Sequence, residues 1–397
     1  MATYFSNVTC FDGRTLKTKA GVLTSNGTIE WVGPHARAPR SAAAAHQVDG
    51  TGRTLTPGLI DCHVHLCYDG GADFAGEGRE MTSDSVGAVK AVRNAARTLE
   101  AGVTTVRDLG GRGDAVIQVG RAVERGVVPG PRILASGRAL TITGGHGHNL
   151  AMAREVDGPV GVRRAVREEI RAGAAAIKLI ATGGVLTPGI TADFTAFTPE
   201  ELEAAVDEAS KWGRVVAAHA IGPSGIIQAV TAGVDSIEHG SMLSAAGARL
   251  MKERGTFHVP TISAIRGMVD HPDEVPAYAV EKATMLAGLA RDAFGRSIRA
   301  GVKIACGTDA GTPFNPHGNT PVEIVRMVGW GLTPLKAMRA ATSVAAELLR
   351  LPQVGMVEPG RAADLVLYAE DPIERIEAVL EPLLVMKAGE VVAGAAL

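Results

Sequence analysis

The chain has 397 residues, enough for a large buried core and one to three domains. Its 40 basic and 42 acidic residues leave a net charge of −2, which excludes a broad electrostatic pull toward nucleic acid or anionic lipid. Apolar residues make up 46%, yet no charge-free stretch of 18 or more is present, and Met1 to Cys10 lacks the basic start and long apolar segment of a secretory signal.

The four cysteines (Cys10, Cys62, Cys67, Cys306) are scattered without a paired framework, so reduced thiols in a cytoplasmic protein are expected. Cys62 alternates away from its histidine neighbours and reads as packing.

Short β-rich pieces open the chain at Thr3–Thr9, Gly21–Leu23 and Gly27–Val32, broken by turns such as Asp12-Gly13 and Asn26-Gly27. The last ~40 residues look alike, with strand-like Asp364–Tyr368 and a hairpin over Val385–Val392. These ends are expected to pair as one small β-sandwich domain, residues 1–55 plus 355–397.

Residues 56–354 alternate. Apolar runs fall at Leu59–His65, Val103–Leu109, Arg132–Ser136, Ala175–Ile180, Val215–His219, Ser236–His239, Thr256–Thr261 and Lys303–Thr308. Helical stretches lie between most of them, at Asp84–Ala101, Gly161–Ala172, Pro199–Trp212 and Pro223–Ala232. Thr198-Pro199-Glu200-Glu201 is a helix start with an N-cap, Pro at the first position and acids in the first turn. Eight strands alternating with helices predict an α/β chain folded as a (β/α)8 TIM-like barrel, the open doubly wound sheet being the alternative. No G-x-G-x-x-G follows the first strand, which weakens a dinucleotide-binding version of that alternative.

Active sites of such barrels form at the C-terminal strand ends. His63 and His65, two residues apart, share one face of the first strand. His219 ends the fifth strand, His239 the sixth and Asp309 the eighth, and Lys178 sits inside the apolar fourth. Singly, each has an ordinary structural explanation: a hydrogen-bonded core histidine, an N-cap aspartate, a snorkelling lysine. Their joint position and type point instead to a metal site.

An ammonium buried in a strand tends to lose its proton, and a neutral amine can add carbon dioxide to become a bridging carbamate. The expected site therefore holds two divalent metal ions roughly 3.5–4 Å apart. His63, His65 and Asp309 would hold one, His219 and His239 the other, with the Lys178 carbamate between. Zinc is the first expectation, manganese or cobalt the alternatives. A metal-bridging hydroxide would be the nucleophile and Asp309 its general base and acid.

These residues together resemble the amidohydrolase superfamily. The resemblance rests on Pro57-Gly58-Leu59-Ile60-Asp61-Cys62-His63-Val64-His65, Lys178, His219, Glu238-His239-Gly240 and Gly307-Thr308-Asp309, with Pro359–Val366 resembling re-entry into the β-domain. Deaminases of that superfamily carry a glutamate three residues after the strand-5 histidine; this chain has Gly222. Imidazolonepropionase-like members use one metal and lack the bridging lysine. The pattern is most similar to the carboxylated-lysine branch of prolidase-like dipeptidases and N-acyl-amino-acid hydrolases. That implies a hydrolase of an amide bond in a dipeptide or N-acyl amino acid, with a small-molecule substrate, no nucleic-acid or membrane partner, and homo-oligomeric assembly. A cyclic amide, lactone, carbamate or xenobiotic amide, including an ochratoxin-type N-acyl phenylalanine, is the alternative, and an inactive scaffold the remote one. Some peptidases of the branch have a tyrosine two residues after the strand-5 histidine; here it is Ile221.

For substrate contacts, the glycine-rich segment Gly144–His148 offers His146, as a catalytic and binding residue, and His148. Arg112, Arg138 and His317 are further expectations, the arginines for a substrate carboxylate. His35, His46, His258 and His271 read as structural or surface. Met81–Asp84 and Ser263–Tyr278 are candidate lids over the site, the second a candidate for substrate selection, with an ordinary surface loop as the first expectation for that second stretch.

Overall fold

The computed structural model describes residues 2–394. Both chain ends enter one eight-stranded sheet. Thr3–Phe11 pairs antiparallel with Leu16–Ser25 and parallel with Thr54–Pro57, and Thr54–Pro57 pairs antiparallel with Leu365–Tyr368 from the far end of the sequence. Pro382–Lys387 and Glu390–Gly394 complete that edge. The Asn26-Gly27 turn has positive φ at both residues, 50° and 79°, as a tight right-twisted hairpin requires. Hydrogen bonding joins all eight strands into one sheet, where two packed sheets were expected; Phe5, Val8, Val22, Leu55, Leu365 and Leu384 build its core.

The middle of the chain is α/β with parallel sheets. Leu59–Val64, Val103–Asp108 and Arg132–Ala135 form a three-stranded sheet. A six-stranded parallel sheet contains Ala176–Ile180, Val215–Ala220, Ser236–His239 and Phe257–Val259, together with two short strands not anticipated, Ala139–Thr141 and Ala153–Glu155. These strands are buried on both faces, which is why they read as unbroken apolar runs.

Hydrogen bonds cross between the two sheets. Ala175 N donates to Ala135 O at 2.8 Å on one side. On the other, segment 303–310 lies between Phe257–Val259 and Leu59–Val64: His258 N donates to Lys303 O (2.9 Å), Cys62 N to Cys306 O (2.9 Å) and Asp309 N to His63 O (2.7 Å). This segment was expected to be a regular strand but forms only isolated bridges. Its Thr308 N–H is taken by the Asp61 carboxylate (3.1 Å) instead of a neighbouring carbonyl, which interrupts the ladder.

The four helices expected from the sequence run as Asp84–Glu100, Gly158–Ala172, Pro199–Lys211 and Pro223–Ala232. Thr198 and Glu201 make a reciprocal capping box. Gly173 and Gly233 end their helices at φ 116° and 96°, a left-handed cap that turns the chain into the next strand. Among the described residues, no helix is long and apolar enough to cross a membrane.

Candidate metal centre

The C-terminal ends of the parallel strands bring His63, His65, Lys178, His219, His239 and Asp309 into the lining of one open-mouthed cavity. Alternation along Leu59–Val64 sends His63 inward, and the chain continues to His65, whose N–H is held by Ala310 O at 2.8 Å. His239 and Asp309 are non-glycine residues at positive φ, 68° and 61°, and so is Thr261 (47°), which bonds His239. Three such positions in one site mark backbone conformations held by the surroundings.

The orientation of each ring follows from its outward nitrogen. His63 Nδ1 donates to Glu238 Oε2 at 2.9 Å, and His65 Nδ1 donates to Gly110 O at 3.0 Å. Both Nε2 lone pairs are thereby aimed inward. His239 is fixed through Nδ1 by Thr261 Oγ1 (2.7 Å). His219 is reversed: its Nε2 donates to Gly183 O at 2.8 Å, leaving Nδ1 as the lone-pair atom. Asp309 Oδ1 lies 3.3 Å from His63 Nε2 and 3.1 Å from His65 Nε2.

Lone-pair atoms therefore face a carboxylate oxygen, an arrangement relieved only by a proton or a cation between them. Ligand atoms of His63, His239 and Asp309 all lie within 4.8 Å of one another, and the His219 and His239 ring centroids are 4.5 Å apart. The donor set fits divalent cations of the zinc type.

Lys178 is 2% exposed, with Nζ 3.3 Å from His63 Nε2. Burial pulls its pKa down to about 8, against the opposing pull of Glu238 and Asp309. Burial and neighbouring positive groups hold His63, His219 and His239 well below the usual histidine value. For His65 burial also acts downward, but the hydrogen bond to Asp309 and that residue's charge outweigh it, so the net shift is upward. For Asp309 burial acts upward, while His63 and His65 bring the net value down. Burial and Lys282 hold His146 down to about 4.

His146 also lines the cavity, anchored through Nδ1 to Thr187 Oγ1 (2.8 Å), its ring centroid 4.9 Å from that of His219. The other expected contacts fall elsewhere. Arg138 turns away after Gly137 (φ 70°) to pair at 3.2 Å with Glu169, a buried carboxylate that needs a counter-charge. Arg112 sits against Asp84 (3.3 Å) and the Thr82 carbonyl. His148 is exposed, its ring closing a turn onto Gly145 O. His317 is buried behind the site, bonded to Tyr68 O at 2.8 Å. None of these four, expected as substrate contacts, lines the cavity. His258 is structural, as expected, bonded to Ser297 and to His239 O.

Other features were not anticipated. Ile262–Val269 is a helix, not a loop, and Ala264, Ile265 and Met268 wall the cavity. Glu323 anchors that helix by accepting from Ile262 N and Ser263 N, both at 2.8 Å. Arg107 and Glu238, each wholly buried, pair at 2.9 Å behind His63. The criterion that singled out Lys178, a charge inside an apolar run, would have found both. Met81–Asp84 does not line the cavity; Met81 is packed in the core.

Strand-end histidines and a carboxylate around one cavity, over parallel α/β sheets, make up an amidohydrolase framework with a candidate metal site in that cavity. The chain belongs to the amidohydrolase family, whose model matches residues 54–392. It is 34% identical over 404 residues to ochratoxinase of Aspergillus niger, an alignment spanning 94% of this chain and 81% of that protein. Among solved structures it is similar to a Xaa-Pro dipeptidase with methionine bound in its active site (TM-score 0.91, 32% identity, 98% of this chain and 99% of that one). It is also similar to a prolidase complexed with N-methylphosphonate-L-proline (TM-score 0.89, 34% identity, 98% and 99%).

Proposed function

We propose that this chain is a two-cation hydrolase that cleaves the amide bond of a dipeptide or an N-acyl amino acid. The carrying observation is Lys178: a buried amine with its pKa drawn toward neutrality, standing beside His63 at the floor of the cavity. Such an amine is suited to carbamate formation. In this reading, His63, His65 and Asp309 would hold one cation and His219 and His239 the other, with carboxylated Lys178 a further ligand and zinc preferred. Bound there, the cations would supply an ionised water near neutral pH and polarise the scissile carbonyl. Asp309 takes the proton from the attacking water and returns it to the departing amine. His146 Nε2 faces the substrate.

The bonds linking the two parallel sheets support a closed (β/α)8 barrel over residues 56–354, with 1–55 and 355–397 as the small β-domain. Homo-oligomeric assembly follows the base rate for soluble enzymes. Free, buried thiols at all four cysteines fit the cytoplasm.

The apolar wall of Phe74, Leu150, Leu186, Ile221, Ile265 and Met268, with the likeness to ochratoxinase, favours a second reading within the same chemistry: a xenobiotic N-acyl phenylalanine as substrate. The test is purified protein assayed for metal content and for hydrolysis of dipeptides and N-acyl amino acids, with and without chelator. About two cations per chain and cleavage lost on chelation are expected. Metal-loaded protein inert across both panels refutes the reading.

A further inference from the structure

Besides the six ligand candidates, three polar side chains line the cavity: His146, Ser241 and Thr312. Thr312 is committed, its Oγ1 donating to Asp309 O at 2.7 Å and accepting from Asn315 at 3.2 Å. His146 is committed on one side only, through Nδ1. Ser241 is 1% exposed and its Oγ has no partner. A buried hydroxyl left unpaired costs roughly 1–3 kcal/mol, so a fold that keeps one in the cavity wall calls for an explanation.

The position of Ser241 is fixed by its neighbours. Gly240 N donates to Ala220 O and Met242 N to Ile221 O, each at 3.1 Å. Ser241 itself therefore sits between His239 and the segment following His219. No arginine lines the cavity, and Lys178 is its one amine among the described residues.

We infer that Ser241 Oγ, with His146 Nε2, binds the carboxylate of the substrate, so that the acidic group is recognised by neutral donors rather than by a cation. The inference rests on the amide-hydrolase reading and names a specificity-determining residue for it. Neutral donors distinguish a carboxylate from a carboxamide weakly, whereas a guanidinium clamp distinguishes them strongly.

The test uses N-benzoyl-L-phenylalanine and its carboxamide on wild type and Ser241→Ala, read by steady-state kinetics and by calorimetric binding. Wild type is expected to handle acid and carboxamide within about tenfold of each other. Ser241→Ala should raise KM and Kd for the acid about 10- to 100-fold, with kcat and bound metal close to wild type and the melting temperature of the unliganded protein no lower. Unchanged KM and Kd in the variant overturn the inference. So does a wild-type preference for the acid of a thousandfold or more, or a loss of metal and stability in the variant that weakens every substrate alike. Binding that depends on Ser241 without turnover would uphold this subsite while refuting the amide-hydrolase reading; absence of both refutes both.

Discussion

Replacing Lys178 with methionine should make the metal-free protein more stable while abolishing its function. The lysine is 2% exposed and its pKa falls from 10.5 to about 8. That depression corresponds to about 3 kcal/mol of destabilisation whenever the amine is charged in the fold. Burying an apolar residue of similar length removes that penalty, and replacements of buried charges by hydrophobes elsewhere gain about 1–4 kcal/mol. The sign with pH follows from proton counting. Between about pH 8 and 10.5 the unfolded chain binds more protons at this site than the native one, so wild-type stability rises with pH. Below pH 8 the full penalty is present; above 10.5 it is gone. Urea unfolding of chelated, carbon-dioxide-depleted protein should therefore find Lys178→Met more stable by about 3 kcal/mol at pH 7, the gap closing toward pH 10.5. A variant less stable than wild type at pH 7, or a gap constant with pH, would refute the buried-amine argument.

Glu238→Gln leaves Arg107 without its carboxylate and weakens the bond that aims His63. A loss of about 3–5 kcal/mol in unfolding free energy is expected, with metal affinity down about 10- to 100-fold by competitive chelation. At Gly184 an added Cβ would lie 2.3 Å from His146 Nε2, so Gly184→Ala should displace that ring and lower kcat/KM at least about tenfold at unchanged metal content. Arg112→Ala and Arg138→Ala should leave kcat/KM within about twofold, because neither side chain lines the cavity. Only Arg138→Ala should show a measurable fall in urea midpoint, since it strips a partner from buried Glu169.

The ligand candidates were legible because each obeys a local rule. Two-residue alternation puts His63 on the inward face, and the ends of apolar runs mark His219, His239 and Asp309. The arginines misled because their targets depend on tertiary structure. Arg138 is redirected by the turn at Gly137 and by a carboxylate 31 residues away. Helix Ile262–Val269 is not legible locally because its start is set by Thr261 in a left-handed conformation and by Glu323, about 60 residues further on. Segment 303–310 looks like a strand in sequence, but a side-chain acceptor from Asp61 takes the place of a ladder carbonyl. In each case the missing information is the identity of a distant partner.

The same distant partners explain why the site can hold conformations that its own residues disfavour. Asp309 and His239 occupy left-handed backbone at a cost of order 1–3 kcal/mol each, Lys178 adds about 3, and the lone pairs of two histidines face a carboxylate. None of this is repaid locally. It is held by bonds from behind: Asp309 N to His63 O, Asp61 to Thr308 and Thr320, and Arg107 through Glu238 to His63. Asp61 and Glu238 are each almost wholly buried, hold His63 through its N–H and its Nδ1 respectively, and do not line the cavity. Removing either support should therefore lower metal affinity together with unfolding free energy. That coupling separates a centre pre-organised by its surroundings from one assembled only when the cations arrive.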